Sequence, residues 1–155
     1  MAAAGLPGDA ERCPVSRTVG SRLGLVTVKA LLTGGALRRL EGGSYRFCPE
    51  PDCDVVYFDS ASGSSFRRRD LRVRVGVKES VDPKPLCYCF DVSLADLEKD
   101  AAGGAASIPA MIAAEVRAGH CACELRNPRG VCCLGDVADA LRRLDVRGMP
   151  PRRPG

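Results

Sequence analysis

Tryptophan is absent from this chain of 155 residues, histidine occurs once, and aromatic residues make up only 5%. The core must therefore be mainly aliphatic. An excess of one charge is also missing: 23 Lys and Arg stand against 19 Asp and Glu, and a net charge of +4 is too mild to argue for nucleic acid. There is no run of 18 apolar residues, so no membrane-spanning helix is expected. The start, MAAAGLPGDAER, has no basic segment followed by an apolar one, so it does not read as a secretory signal, and a cytoplasmic location is expected. Neither a glycine-rich nucleotide motif, nor a flavin signature, nor a Ser-His-Asp set is visible. The chain is thus expected to be a binding or electron-transfer protein and not an enzyme. With 45% apolar and 27% charged residues it nevertheless has the composition of a globule.

What the chain has in excess is cysteine: nine. An odd number in a cytosolic setting reads as metal ligands before disulfides. Cys13 stands alone; Cys48 and Cys53 form C-x4-C; Cys87 and Cys89 form C-x-C; Cys121 and Cys123 repeat that spacing; Cys132 and Cys133 are adjacent. An isolated cysteine is usually a small buried hydrophobe. Six between positions 87 and 133 are too clustered for that account.

Two halves differ in period, and the expected fold class is α+β. Residues 1–11 and 147–155 are rich in Ala, Gly, Pro and charge and are expected to be disordered tails. Residues 12–80 read as a small zinc-ribbon-like β domain. Leu71, Val73, Val75 and Val77 alternate with polar residues as a strand does. Asp54 to Phe58 is a buried strand with Tyr45 to Phe47 as its hairpin partner, Cys48 to Cys53 as the turn, and Ser60 to Ser65 as a loop. Leu23 to Leu32 is expected to be a strand followed by a short helix. Residues 81–86, containing VDPKP, form a stiff linker. Residues 87–146 read as helical. Ser93 and Asp96 suggest a capping box, followed by Leu94, Leu97 and Ala101. Ser107 caps a second helix with Ile108, Met111, Ile112 and Val116 inward, and Asp136 caps a third with Val137, Leu141 and Leu144 inward. Asn127-Pro128 and Gly130 fold the last cysteine loop back on itself.

A C-x-C followed after 31 residues by another Cys resembles the 2Fe–2S domain of bacterioferritin-associated ferredoxin, a helical fold that also occurs in nitrite reductases. That family closes with C-x2-C, whereas here Glu124 stands where the last Cys would fall. A wider resemblance covers about residues 13–140. The segments FCPEPDCDVVYF, LRVRVGVKE, PLCYCFDVS and CACELRNPRGVCCLGDV look like the N-terminal iron–sulfur and zinc domain of CopZ-type copper chaperones. The resemblance implies a 2Fe–2S cluster on four thiolates of the C-terminal half, a ligation that the residue types also suggest. Cys87 and Cys89 are the first two ligands and Cys121 follows by spacing. The fourth is Cys132, with Cys123 and Cys133 as alternates. A structural zinc on the same thiolates is the competing reading, but C-x-C and CC are poor zinc knuckles.

In the N-terminal half the relatives supply two more zinc ligands from C-P-x-C. Here the segment is Cys13-Pro14-Val15-Ser16, so Ser16 replaces an expected thiolate. Cys13, Cys48 and Cys53 remain as zinc ligands, with water or Asp52 available for the fourth corner. His120 reads as a solvated loop residue. Arg126 and Arg129 lie in the ligand loop and are candidates for raising a cluster's potential. The expected function is that of a cytosolic metal-handling protein: a copper or heavy-metal metallochaperone or its one-electron redox component, possible partners by resemblance being a metal-transport ATPase or a separate chaperone domain. Full-length chaperones of this type carry a further domain with M-x-C-x-x-C, which these residues do not include, so delivery is expected to use spare thiols or a partner. A small ferredoxin-like electron carrier and a structural zinc protein that docks a partner are the alternatives.

Overall fold

Four short strands make an antiparallel sheet in the order of the chain: β1 (Ser21–Arg22), β2 (Arg46–Phe47), β3 (Val55–Asp59) and β4 (Ser64–Arg67). The computed structural model describes residues 8–104 and 107–146; the expected tails 1–7 and 147–155 lie outside these residues. Asp9–Glu11, also expected to be disordered, instead forms a 3-10 turn, and Glu11 accepts a 3.0 Å ion pair from Arg46 on β2. Every residue of β3 is buried, which explains its unbroken apolar run. Tyr57 and Val56 face one core, with Val28, Leu32, Phe47, Phe66 and Leu71. Val55 and Phe58 face a second, smaller core with Cys13, Cys48 and Cys53. Each large apolar side chain buried in this way contributes about 1.5–3 kcal/mol.

Several local expectations are corrected. The alternating segment from Leu71 to Val77 is not a strand. Leu71 makes a single bridge to Leu32, and the chain then bends into a 3-10 turn at Gly76–Lys78. Only Leu71 and Val75 of the four are buried; Val77 is exposed, and Lys78 is buried in its place. Close approach to the next segment forces the bend: a Cβ at Gly76 would lie 1.9 Å from the Pro85 carbonyl oxygen. Leu25–Leu31 is a helix, α1, without a preceding strand beyond β1, and a one-turn helix, α2 (Gly34–Leu37), follows it. Thr33 caps α2 by accepting from the Ala36 N–H. Ser64 and Ser65, expected in a loop, pair with Asp59 and Phe58 because Phe66 must reach the core.

The second half opens with a two-stranded hairpin, β5 (Pro85–Cys87) and β6 (Val92–Ser93), so the final residues of the expected linker are sheet. The helices α3 (Leu94–Ala102), α4 (Ser107–Arg117), α5 (Cys123–Arg126) and α6 (Leu134–Val146) follow. The capping box of Ser93 with Asp96 is present and starts α3. Met111 is 38% exposed, against expectation, while Ile112 is buried. The last helix starts at Leu134, ahead of Asp136, whose carboxylate binds Arg129 at 2.7 Å. Leu97, Ile112, Val137 and Ala140 bury together with Cys87 and Cys133.

The two halves touch. Helix α1 packs on α5, and the Tyr57 hydroxyl, buried in the sheet core, donates at 2.6 Å to the Pro128 carbonyl in the cysteine loop. Burial raises the Tyr57 phenol far above its ordinary value, so it stays a donor. Gly130, at φ +69°, lies so near Thr27 that a Cβ there would be 2.9 Å from its hydroxyl. The fold class is α+β, a sheet-rich half followed by a helical half. Among the described residues no helix is long and apolar enough to cross a membrane.

Candidate metal centres

The turn between β2 and β3 contains Pro49 and Pro51, which cannot donate to a ladder, so the hairpin leaves its sheet pattern there. The Cys53 N–H closes the turn on the Glu50 carbonyl at 3.2 Å, and the Cys48 N–H bonds to Val56 at 2.9 Å. A second turn, Cys13 to Thr18, lies against it, with Arg17 in the left-handed region at φ 64°. These two turns bring together Cys13, Cys48 and Cys53, all buried, with their sulfurs within 4.8 Å of one another. Cys13 and Cys53 are 3.8 Å apart. Two thiolates on one tetrahedral metal at ~2.3 Å would be separated by about 3.8 Å. The Ser16 hydroxyl lies 3.4 Å from the Cys48 sulfur, at the edge of the group. Asp52 is exposed and does not join the group.

Burial pushes the Cys13 thiol up, but hydrogen bonds from the backbone and side chain of Ser16 and from the Val15 N–H outweigh it and lower it overall. Cys48 is raised by its burial, against the pull of Ser16, the Glu50 N–H and the Lys78 ammonium. Sequence reasoning missed Lys78, which looked like the polar face of a strand. It is 4% exposed, and its ammonium donates to the carbonyls of Glu50 at 2.7 Å and Cys53 at 2.9 Å. It therefore clamps the turn that carries two of the three thiols. We predict that Ser16→Cys, by closing the site with a fourth thiolate, tightens zinc at least about tenfold, or ~1.4 kcal/mol. Chelator competition measures this; equal affinity would mean that the hydroxyl already completes the site.

Cys89 at the end of the hairpin lies 3.6 Å from Cys123 on α5 and accepts from the Ala122 N–H at 3.2 Å. Cys87 and Cys133, the residue just before α6, are buried in one core. The hydrogen bond from Cys133 lowers the Cys87 thiol to about 6, with help from the Phe90 and Cys89 N–H groups and against its burial. Its partner Cys133 is raised by the same bond and by burial, and burial together with Cys89 raises Cys123 to about 12. Of the two alternates, Cys123 thus lies beside Cys89, and Cys133 is buried in the same core as Cys87. Cys132 is exposed and Cys121 half-buried, and neither joins a sulfur pair among the described residues. Adjacency explains this: Cys133 turns into the helical core, so its neighbour faces out. Asn127 is buried and holds the loop, donating to Val131 at 2.8 Å and accepting from the Arg129 N–H at 2.9 Å. Arg129 is neutralised by Asp136, and the exposed His120 pairs with Glu115 at 2.6 Å.

A buried three-thiol group at a β-hairpin turn, followed by a helical half with six more cysteines, defines a cysteine-based metal-binding protein. A family described as a zinc binding domain of the CopZ type matches residues 10–72. The copper chaperone CopZ of Archaeoglobus fulgidus is 37% identical over 148 residues, covering 88% of this chain and 69% of that protein. The solved N-terminal domain of Archaeoglobus fulgidus CopZ superposes with a TM-score of 0.66 at 32% identity, covering 90% of this chain and 98% of the domain. The chain belongs to the CopZ family.

Proposed function

We propose that this protein handles copper or a related soft metal in the cytoplasm, as a metallochaperone or its one-electron redox component, and that it is not an enzyme. In this reading Cys13, Cys48 and Cys53 hold a structural zinc, and Cys87, Cys89, Cys123 and Cys133 hold a 2Fe–2S cluster. The observation that supports the second assignment is that Cys89 lies 3.6 Å from Cys123 while Cys87 and Cys133 are buried in one core, since each iron of such a cluster takes two thiolates. The residues fit the group in kind as well, being four free thiols. When bound, the cluster supplies one electron at a time.

The chain's own residues do the rest. The Ala122 N–H donates to the Cys89 sulfur and the Phe90 and Cys89 N–H groups to that of Cys87, which stabilises the ligands as anions. The Tyr57 hydroxyl and Asn127 fix the loop between Cys123 and Cys133. Cys121 and Cys132 remain outside the pairs and are the soft ligands available to a Cu(I) cargo, formed when Cu(II) accepts one electron that a reduced redox partner has supplied. A metal-transport ATPase or a separate chaperone domain is the recipient that the resemblance suggests.

Anaerobic purification with iron, sulfide and zinc analysis tests this reading. The expected result is a brown protein with about two irons and two sulfides per chain, plus zinc. A colourless protein with zinc on both cysteine groups would overturn it in favour of a structural zinc protein. Full loading with iron but no response to Cu(II) would leave a ferredoxin-like electron carrier.

A further inference from the structure

Lys78 stands out among the described residues: it is a buried cation that belongs to no ion pair with a carboxylate. Two of its donors are used on the Glu50 and Cys53 carbonyls, and its ammonium sits 6.0 Å from the centre of the Phe47 ring. A buried charge without an opposite charge is costly. Three thiolates around a divalent metal carry a net charge of about −1, and Lys78 lies beside the turn that holds two of them. The chain of contacts continues. Lys78 ends the 3-10 turn that begins at Gly76, whose N–H donates at 2.9 Å to the hydroxyl of Tyr88. That hydroxyl in turn donates at 2.7 Å to the Arg74 carbonyl. Tyr88 is the middle residue of the C-x-C, flanked by Cys87 and Cys89. Gly76 is also pressed against Pro85 of β5, so this short segment cannot move without shifting the hairpin that carries Cys87.

We propose that Lys78 and Tyr88 form a strut that couples the two metal centres, Lys78 as counter-ion and clamp of the three-thiol knuckle and Tyr88 as its anchor in the C-x-C. Both are positioning residues. The inference rests on the two-centre reading above. Its consequence is reciprocal: the redox state of the C-terminal centre alters zinc affinity at the knuckle, and zinc alters the potential by the same factor.

The test is chelator competition for zinc on the full-length, iron-loaded protein, oxidised and electrochemically reduced, in the parent and in Tyr88→Phe. This variant removes both hydrogen bonds of the strut without changing charge or touching a zinc thiol. In the parent the two zinc dissociation constants are expected to differ at least about fivefold, which a one-electron couple reads as about 40 mV. In Tyr88→Phe, with iron content unchanged, that ratio is expected to fall toward the residue left by long-range charge alone. The same ratio in both proteins would overturn the strut. Lys78→Met adds a second arm: it is expected to weaken zinc about tenfold and to shift the potential of a centre that it does not touch. An unmoved potential in the folded, zinc-loaded variant would count against the coupling. If Lys78→Met does not fold, Tyr88→Phe decides alone. If the parent carries no iron, the functional reading fails separately, and the strut is then judged on zinc affinity: weaker zinc in Tyr88→Phe supports it, and unchanged zinc overturns it.

Discussion

Alanine at Cys87 or Cys133 is expected to reduce bound iron and sulfide to near zero, whereas alanine at Cys121 or Cys132 should leave both near the parent level. The contrast is large because a cluster needs all four thiolates. It is discriminating because the two sets interleave in the chain. Cys132 and Cys133 are neighbours, and Cys121 and Cys123 are separated by one residue, so a general disturbance of the loop would affect both sets alike. The sulfur of Cys123 is 3.6 Å from that of Cys89, and Cys133 is buried with Cys87 in the helical core. Cys132 is exposed, and its removal leaves no buried gap. Iron and sulfide analysis with visible spectra on the four variants checks this. Retained iron in both the Cys87 and Cys133 variants would sink this ligand set, and lost iron in Cys121→Ala or Cys132→Ala would favour the set first expected from the sequence.

The second large effect belongs to the knuckle. Cys48→Ala or Cys53→Ala is expected to abolish zinc binding and to lower the first thermal transition by more than about 10 °C. The three thiols, with Val55 and Phe58, form a core of their own beneath the sheet, so without metal this region has few apolar contacts to hold it. Structural zinc supplies about 10–16 kcal/mol of apparent binding energy in small domains, comparable with the 5–15 kcal/mol that a whole domain usually has. Losing even ~4 kcal/mol would move a transition of a protein of this size by about 8–16 °C. Calorimetry of parent and variants, each with zinc and with chelator, measures it. A chelator that leaves the parent's transition in place would show that the knuckle is held by packing alone.

Much of this protein is determined locally, and those parts were legible. The β2–β3 hairpin and its cysteine turn follow from an apolar run next to two prolines. The start of α3 follows from Ser93 and Asp96, because a capping box needs only residues three apart. The knuckle of Cys48 and Cys53 also lay within reach, since hairpin turns are where knuckles form, whereas Cys13 was joined to it by the resemblance to CopZ-type domains. Tertiary contacts decided the rest. Alternation from Leu71 to Val77 indicated a strand, but Gly76 passes too close to Pro85 for an extended course, and Lys78 turns inward to the Glu50 and Cys53 carbonyls. Spacing points to Cys121 and leaves the fourth ligand among Cys123, Cys132 and Cys133, because spacing measures only distance along the chain. Which of two neighbouring thiols faces the core depends on how α5 and α6 sit against the β5–β6 hairpin. The link between the two halves was equally hidden, because a tyrosine between two cysteines and a lysine ten residues earlier have no visible relation until the turn at Gly76 joins them.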